Sequence, residues 1–173
     1  MDLKEHIRSI IDWPKKGIVF RDITPLLQDP QTLQTAVDML VEQFVPFKPD
    51  MVVAPEARGF IFGTAVAIRL GAGFAPIRKP GKLPADQIEE TYELEYGTDT
   101  LTMHSDALRE GQRVLVLDDL LATGGTAKAC CKMVERLGAE VAGCGFLVEL
   151  SFLPGRKTLE GYEVVSLVDY DAE

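Results

Sequence analysis

The segment Val114-Leu115-Val116-Leu117-Asp118-Asp119-Leu120-Leu121-Ala122-Thr123-Gly124-Gly125-Thr126 constrains the fold more than any other part of the chain. Its first four residues are apolar without interruption, so a strand built from them has no face to offer water. Such a strand must be covered on both sides, as in a parallel sheet flanked by helices. The glycine and threonine turn then opens a helix that runs to about Leu137 and Gly138. Strand, turn and helix make one βα unit, and ligands of open α/β sheets bind outside the carboxyl ends of the strands.

The rest of the chain repeats this rhythm. Met51-Val52-Val53-Ala54 reads as a short buried strand, followed by Pro55-Glu56-Ala57-Arg58-Gly59 and a helix from about Phe60 to Leu70, closed by Gly71. Phe74 to Ile77, Glu140 to Glu149 and Val164 to Val168 read as further strands. The expectation is a single α/β domain with a mostly parallel, Rossmann-like sheet flanked by helices. Upstream, Leu3, Ile7, Ile10 and Ile11 at helical spacing predict a short amphipathic helix over Asp2 to Ile11, broken by Trp13 to Gly17. Ile18 to Pro25 reads as extended. Asp29-Pro30 is a start signal for a helix carrying Leu33, Val37, Leu40, Val41 and Phe44. Lys82 to Met103 departs from the rhythm. Its alternating aromatic and charged residues suggest a hairpin flap, and the acids Asp86, Glu89, Glu90, Glu93 and Glu95, with no base among them, suggest a mobile lid that does not pack as core.

Charge and cysteine usage exclude several classes. A net charge of −9 argues against nucleic-acid or anionic-membrane binding. Cys130, Cys131 and Cys144 cannot all pair within one chain and have no histidine beside them, so neither a disulfide framework nor a zinc site is expected. The N-terminus has no apolar signal region, and no stretch is long enough for a membrane helix. A cytoplasmic protein with reduced thiols is the expectation. His6 and His104 match no pattern and read as surface residues.

The chemistry concentrates after Leu117. Backbone N–H groups at a helix N-terminus, with the Thr123 and Thr126 hydroxyls beside them, form a phosphate cradle. Asp118 and Asp119 would repel a phosphate but suit the hydroxyls of a ribose and a nearby Mg²⁺. The competing reading is a plain helix cap, with Thr123 capping and the glycines making the turn. No lysine follows the glycines, so this is not a P-loop, and it is not GxGxxG either. Arg78, Lys79 and Lys82 place three positive charges in five positions, the local basic patch an acidic protein needs for a polyanionic substrate.

The joined pattern resembles the phosphoribosyl pyrophosphate motif of type I phosphoribosyltransferases, in the form carried by their adenine-specific members. Val19 to Leu27, Glu56 to Phe60, Ile77 to Pro84 and Tyr92 to Gly97 are similar to those enzymes in the same order. The resemblance reaches to about Glu149 and leaves the segment from Ser151 onward without a role. It implies the type I phosphoribosyltransferase fold, with an N-terminal hood for the base over residues 1–30 and a flexible lid over 82–103. It implies ribose phosphate on Asp118, Asp119, Ala122, Thr123, Gly124, Gly125 and Thr126. Pyrophosphate is implied on Glu56, Ala57, Arg58, Arg78, Lys79 and Lys82, with a cis Glu56–Ala57 peptide. Adenine is implied on Val19, Phe20 and Arg21, largely through main-chain groups. Glu95, Arg58 and Lys79 take the catalytic roles, and Tyr96 orients the substrate from the lid. No side chain is assigned as a direct Mg²⁺ ligand; the cation comes mainly with the substrate, near Asp118 and Asp119. The implied partners are adenine, phosphoribosyl pyrophosphate, AMP, pyrophosphate and a second copy of the chain. Two other classes remain open at this point: a sister enzyme for hypoxanthine, xanthine or orotate, and a non-catalytic regulator that binds phosphoribosyl pyrophosphate.

Overall fold

The computed structural model describes residues 1–94 and 97–173. At the N-terminus, β1 (Arg8–Ile11) and β2 (Val19–Asp22) form an antiparallel pair, followed by α1 (Thr24–Gln28) and α2 (Pro30–Phe44). Then come β3 (Met51–Pro55), α3 (Gly59–Leu70), β4 (Gly73–Ile77) and the hairpin β5 (Gln87–Glu93) and β6 (Thr98–His104). The chain closes with β7 (Arg113–Leu121), α4 (Gly125–Arg136), β8 (Glu140–Leu150), α5 (Gly155–Thr158) and β9 (Val164–Tyr170).

Five of these strands form a parallel sheet in the order β4-β3-β7-β8-β9. β3 lies between β4 and β7; the chain runs on from β3 to β4 on one side and from β7 to β8 on the other, so the two connections diverge. That reversal opens a crevice beyond the carboxyl ends of β3 and β7. Val114, Leu115, Val116 and Leu117 are all fully buried, as their unbroken apolar run requires. Val114 and Val116 join the core beneath α4, whereas Leu115 and Leu117 join the core beneath α2 and α3. Each such side chain contributes about 1.5–3 kcal/mol by leaving water.

The N-terminal segment differs from its helical expectation. Leu3–His6 is a single 3-10 turn, and Arg8–Ile11 is strand. The apolar spacing misleads because only Leu3 and Ile7 are buried, while Ile11 is 75% exposed. The extended segment after it also ends early, at Asp22, because Pro25 fits the first turn of α1. Asp22 Oδ2 accepts from Arg8 Nε at 3.1 Å, and its Oδ1 accepts from the Thr24 N–H at 2.9 Å, which ties the hood to α1.

β7 runs through Leu121, so both aspartates lie in the strand rather than after it. The long partner β8 continues the ladder, with Asp118 opposite Phe146 and Leu120 opposite Val148. The flap differs more. Its stem is a regular hairpin fastened to α4, and Ile88 and Tyr92 pack on the core together with the buried Leu101 and Met103. Glu90 accepts from Lys132 at 3.2 Å and from Arg136 at 3.3 Å, so part of the acid excess is answered by bases on α4. The expectation that Asp86 to Glu95 stays off the core therefore fails along the inward face of β5. His104, at the end of β6, is half-buried with its Nδ1 enclosed, and His6 is also half-buried, so neither is a plain surface residue. All three cysteines are buried free thiols.

Candidate active site

The turn between β7 and α4 is shaped by two close approaches. Gly124 has φ +84°, and a Cβ there would lie 2.9 Å from both Gly155 O and Thr158 Cβ. Only glycine tolerates that backbone at that distance. Gly124 is itself the N-cap of α4 and no side chain caps the helix, so Thr123 does not play the capping part of the competing reading. The first N–H groups of α4 therefore face outward, as at any uncapped helix start. They border a hollow of about 90 Å³ lined by Asp118, Ala122, Thr123, Gly124, Gly125 and Thr126.

α5 braces this turn from behind. Thr158 Oγ1 donates to Thr123 O at 2.6 Å, and a Cβ on Gly155 would stand 2.5 Å from Ala122 O. Arg156 anchors α5 by donating from Nε and Nη2 to the buried Glu149 at 2.7 and 2.8 Å. Sequence reading left this segment without a role. Thr158 meets the turn from 35 positions away, and no local pattern marks it.

Next to the hollow lies a cleft of about 350 Å³, bordered by the loop after β3, by Lys79, Tyr92 and Asp99, and by Asp118, Asp119 and Thr126. The Glu56–Ala57 peptide is cis, in agreement with expectation. Arg58 Nε donates to Asp119 Oδ2 at 2.5 Å, and its guanidinium stands 5.6 Å from the Phe20 ring centre. The Lys79 ammonium is paired with Asp99. Glu56 Oε1 accepts from the Lys79 N–H at 2.7 Å and from Arg78 Nε at 3.3 Å. Each of these three cations thus has its own carboxylate. Burial, reinforced by the negative charge of Asp119, pushes the Asp118 carboxyl well above its usual value. A Cβ on Gly59 would come within 2.8 Å of Asp118 Oδ1, so a larger residue at the helix start would displace the aspartate.

Among the other expected site residues, Val19, Phe20 and Arg21 lie on β2, with Phe20 held edge-on against Trp13 at 4.5 Å. The Arg21 side chain turns away. Its Nη1 donates to Ser9 Oγ at 2.5 Å, its Nη2 to Ala172 O at 3.2 Å, and its guanidinium lies over the Tyr170 ring. The Arg21 side chain is thus engaged with β1 and the C-terminal segment. Arg78 stands behind Glu56, and Lys82 is exposed; neither borders the cleft. Glu95 and Tyr96 lie outside the described residues. Asp99 was not anticipated, because it becomes a site residue only when the hairpin register sets it opposite Tyr92.

The family model for the phosphoribosyl transferase domain matches residues 27–168. An adenine phosphoribosyltransferase of Desulfitobacterium hafniense is 56% identical over 170 residues, covering 98% of each chain. The crystal structure of adenine phosphoribosyltransferase from Thermoanaerobacter pseudethanolicus superposes with a TM-score of 0.95 at 55% identity, covering 97% of this chain and 98% of that one. That of the Saccharomyces cerevisiae enzyme, complexed with an imino-altritol bisphosphate and adenine, gives 0.89 at 39% identity over 95% of each chain. Fold, turn geometry and relatives agree along nearly the whole length, and the chain belongs to the phosphoribosyltransferase family.

Proposed function

We propose that the chain transfers the 5-phosphoribosyl group of phosphoribosyl pyrophosphate to N9 of adenine, giving AMP and pyrophosphate, as a purine-salvage enzyme. The observation that carries this reading is one juxtaposition at the β3/β7 crevice. An uncapped helix start, two adjacent carboxylates and a group of acid-paired cations border two adjoining hollows. The 5′-phosphate takes the N–H groups of residues 122–126. The ribose hydroxyls donate to Asp118 and Asp119. The pyrophosphate lies toward Arg58 and Lys79, with the main chain of Glu56 and Ala57 beside it. Adenine lies against Phe20 and is read by the main chain of Val19 and Arg21.

Two adjacent carboxylates, one of them disfavoured as an anion by burial and by its neighbour, fit a divalent cation or a diol. Mg²⁺, when bound with the diphosphate, supplies positive charge to the leaving group. The protein needs no covalent nucleophile. It holds N9 beneath C1′ while the bond to pyrophosphate breaks and the ribose gains oxocarbenium character. Arg58 and Lys79 exchange their carboxylates for the departing charge. Glu95 is assigned the contact to the imidazole edge of the base and Tyr96 the orientation of the substrate, roles that fall outside the described residues. The exposed Lys82, next to the partly exposed Arg78, suits a homodimer in which one subunit's basic segment serves its partner's site. Sedimentation of a fully active monomer would contradict that arrangement. Among the described residues no helix is long and apolar enough to cross a membrane. A cytoplasmic location fits the free thiols.

The experiment is a spectrophotometric assay with adenine, hypoxanthine, guanine and orotate, with and without Mg²⁺. Adenine offers a 6-amino donor and an N1 acceptor, and hypoxanthine offers the reverse, so a main-chain reader matched to one leaves the other's groups unpaired. Such a site can reject the mismatched base by as much as ~10⁴–10⁵-fold. Use of hypoxanthine within about tenfold of adenine would move the assignment to a sister enzyme, because matched hydrogen-bond readout discriminates far more strongly than that.

A further inference from the structure

Tyr92 lies on the flap stem, 34 positions from the turn, and yet its hydroxyl is 2.9 Å from Thr126 Oγ1. The same hydroxyl donates to Asp99 Oδ2 at 3.2 Å, and Asp99 also holds the Lys79 ammonium. Asp99 is anionic: burial opposes its charge, but Lys79 and the Thr100 N–H keep its carboxyl below the usual value. An anionic carboxylate only accepts, so the proton of Tyr92 points to Asp99 and the proton of Thr126 points to Tyr92. The Tyr92 ring is seated against the turn as well, because a Cβ on Gly125 would meet its Cδ2 at 3.2 Å. Burial, outweighing the Thr126 hydrogen bond and joined by the charge of Asp99, pushes the phenol up to about 12, so it keeps its proton at working pH.

Resting on the proposed function, we infer that Tyr92 is a positioning residue for the 5′-phosphate and acts through Thr126. When the phosphate arrives, the Thr126 hydroxyl turns its proton to the phosphate oxygen. The Tyr92 hydroxyl then turns its own proton to Thr126 Oγ1. Thr126 thus remains hydrogen-bonded on both sides, and its oxygen stays fixed at the mouth of the hollow. Asp99 holds Tyr92 in reach before the ligand binds. The flap stem therefore contributes to the phosphate site.

The test is calorimetric binding of ribose 5-phosphate, as probe, to the full-length protein and to Tyr92→Phe, Thr126→Val and the double variant. Tyr92→Phe keeps the ring on Gly125 and removes only the hydroxyl. It is expected to weaken the probe about 3–10-fold, the range for one neutral hydrogen bond. KM for phosphoribosyl pyrophosphate should rise in step while KM for adenine and kcat hold. In the Thr126→Val background the same substitution should have no further effect. An equal penalty in both backgrounds, or no penalty in either, overturns the inference. Failure of the unaltered protein to bind ribose 5-phosphate overturns the proposed function itself, and the inference with it.

Discussion

The two ends of the crevice handle anions by different physics. The hollow at the start of α4 offers neutral dipoles: backbone N–H groups held in place by Gly124, by the Thr158 hydroxyl and by the seat of Gly155 against Ala122. Among the described residues that line it none is held in an ion pair, and one hydroxyl rotates before a phosphate enters. The cleft beside it offers full charges, and each is already spoken for: Arg58 by Asp119 and Lys79 by Asp99, with Arg78 on Glu56 behind them. A ligand at that end exchanges partners rather than filling a void. The difference suits a reaction whose 5′-phosphate stays put while its pyrophosphate leaves. Fixed dipoles hold the part that remains, and exchangeable ion pairs receive the developing charge and then release it.

The largest expected effect tests the exchangeable end. Arg58→Ala should lower kcat with phosphoribosyl pyrophosphate by about 10²–10³-fold, the usual loss when a group aimed at transition-state charge is removed. Binding of ribose 5-phosphate, measured by calorimetry, should change little. A loss confined to ribose 5-phosphate binding would reverse the assignment of the two ends.

Asp118 lies between them, and its substitution should separate stability from function. Its carboxyl titrates higher in the folded protein than in the unfolded chain. The folded state therefore binds that proton more tightly, which favours folding below the unfolded value near 4. The advantage is lost as pH rises from the unfolded value through the folded one, so at pH 7 the raised carboxyl is a cost to stability. Asp118→Asn should raise Tm at pH 7 by a few degrees, at roughly 2–4 °C per kcal/mol for a chain of this size. The gain should shrink toward pH 4. Activity should fall at least about tenfold through the lost ribose contact. Loss of Tm at pH 7 would contradict the account of Asp118 as a carboxyl crowded by Asp119 and held above its usual value.

The brace behind the turn predicts a smaller effect. Thr158→Val should raise KM for phosphoribosyl pyrophosphate about 2–10-fold through one lost hydrogen bond, and Thr158→Ser should restore it. An equal rise in KM for adenine would show that α5 supports the whole crevice instead.

The fixed end was the legible one. Its turn follows from residues adjacent in the chain: an unbroken apolar run dictates the buried strand, and the glycines dictate the turn. The exchangeable end was legible only as a list of charges. Which acid answers which base depends on the meeting of β3, β4 and the hairpin, so Asp99 and Tyr92 carried no local signal. The same reason hid Thr158 and Arg156, which reach the turn and β8 only once the last strand closes the sheet. The N-terminal misreading has another cause. Leu3, Ile7 and Ile11 happen to fall at helical spacing, but the pairing of Arg8–Ile11 with Val19–Asp22 overrides it.

The smallest effect at the crevice is expected from the hood. Hydrogen bonds from Thr24 and Arg8 hold the Asp22 carboxyl down at about 2. Its contribution is present above the unfolded value near 4 and is lost as pH falls through 2. Asp22→Asn should lower Tm at pH 7, match the unaltered protein near pH 2, and leave KM for both substrates unchanged. A shift in KM for adenine alone would show that the hood's tie to α1 also sets the base site.

The account's central claim is the placement of the phosphate on neutral dipoles and of the leaving group on exchangeable charges. A crystal structure with AMP tests it most directly. The account predicts the 5′-phosphate within hydrogen-bond reach of the N–H groups of residues 122–126, the ribose hydroxyls on Asp118 and Asp119, and adenine against Phe20. A 5′-phosphate seated instead on Arg58 and Lys79 would contradict it.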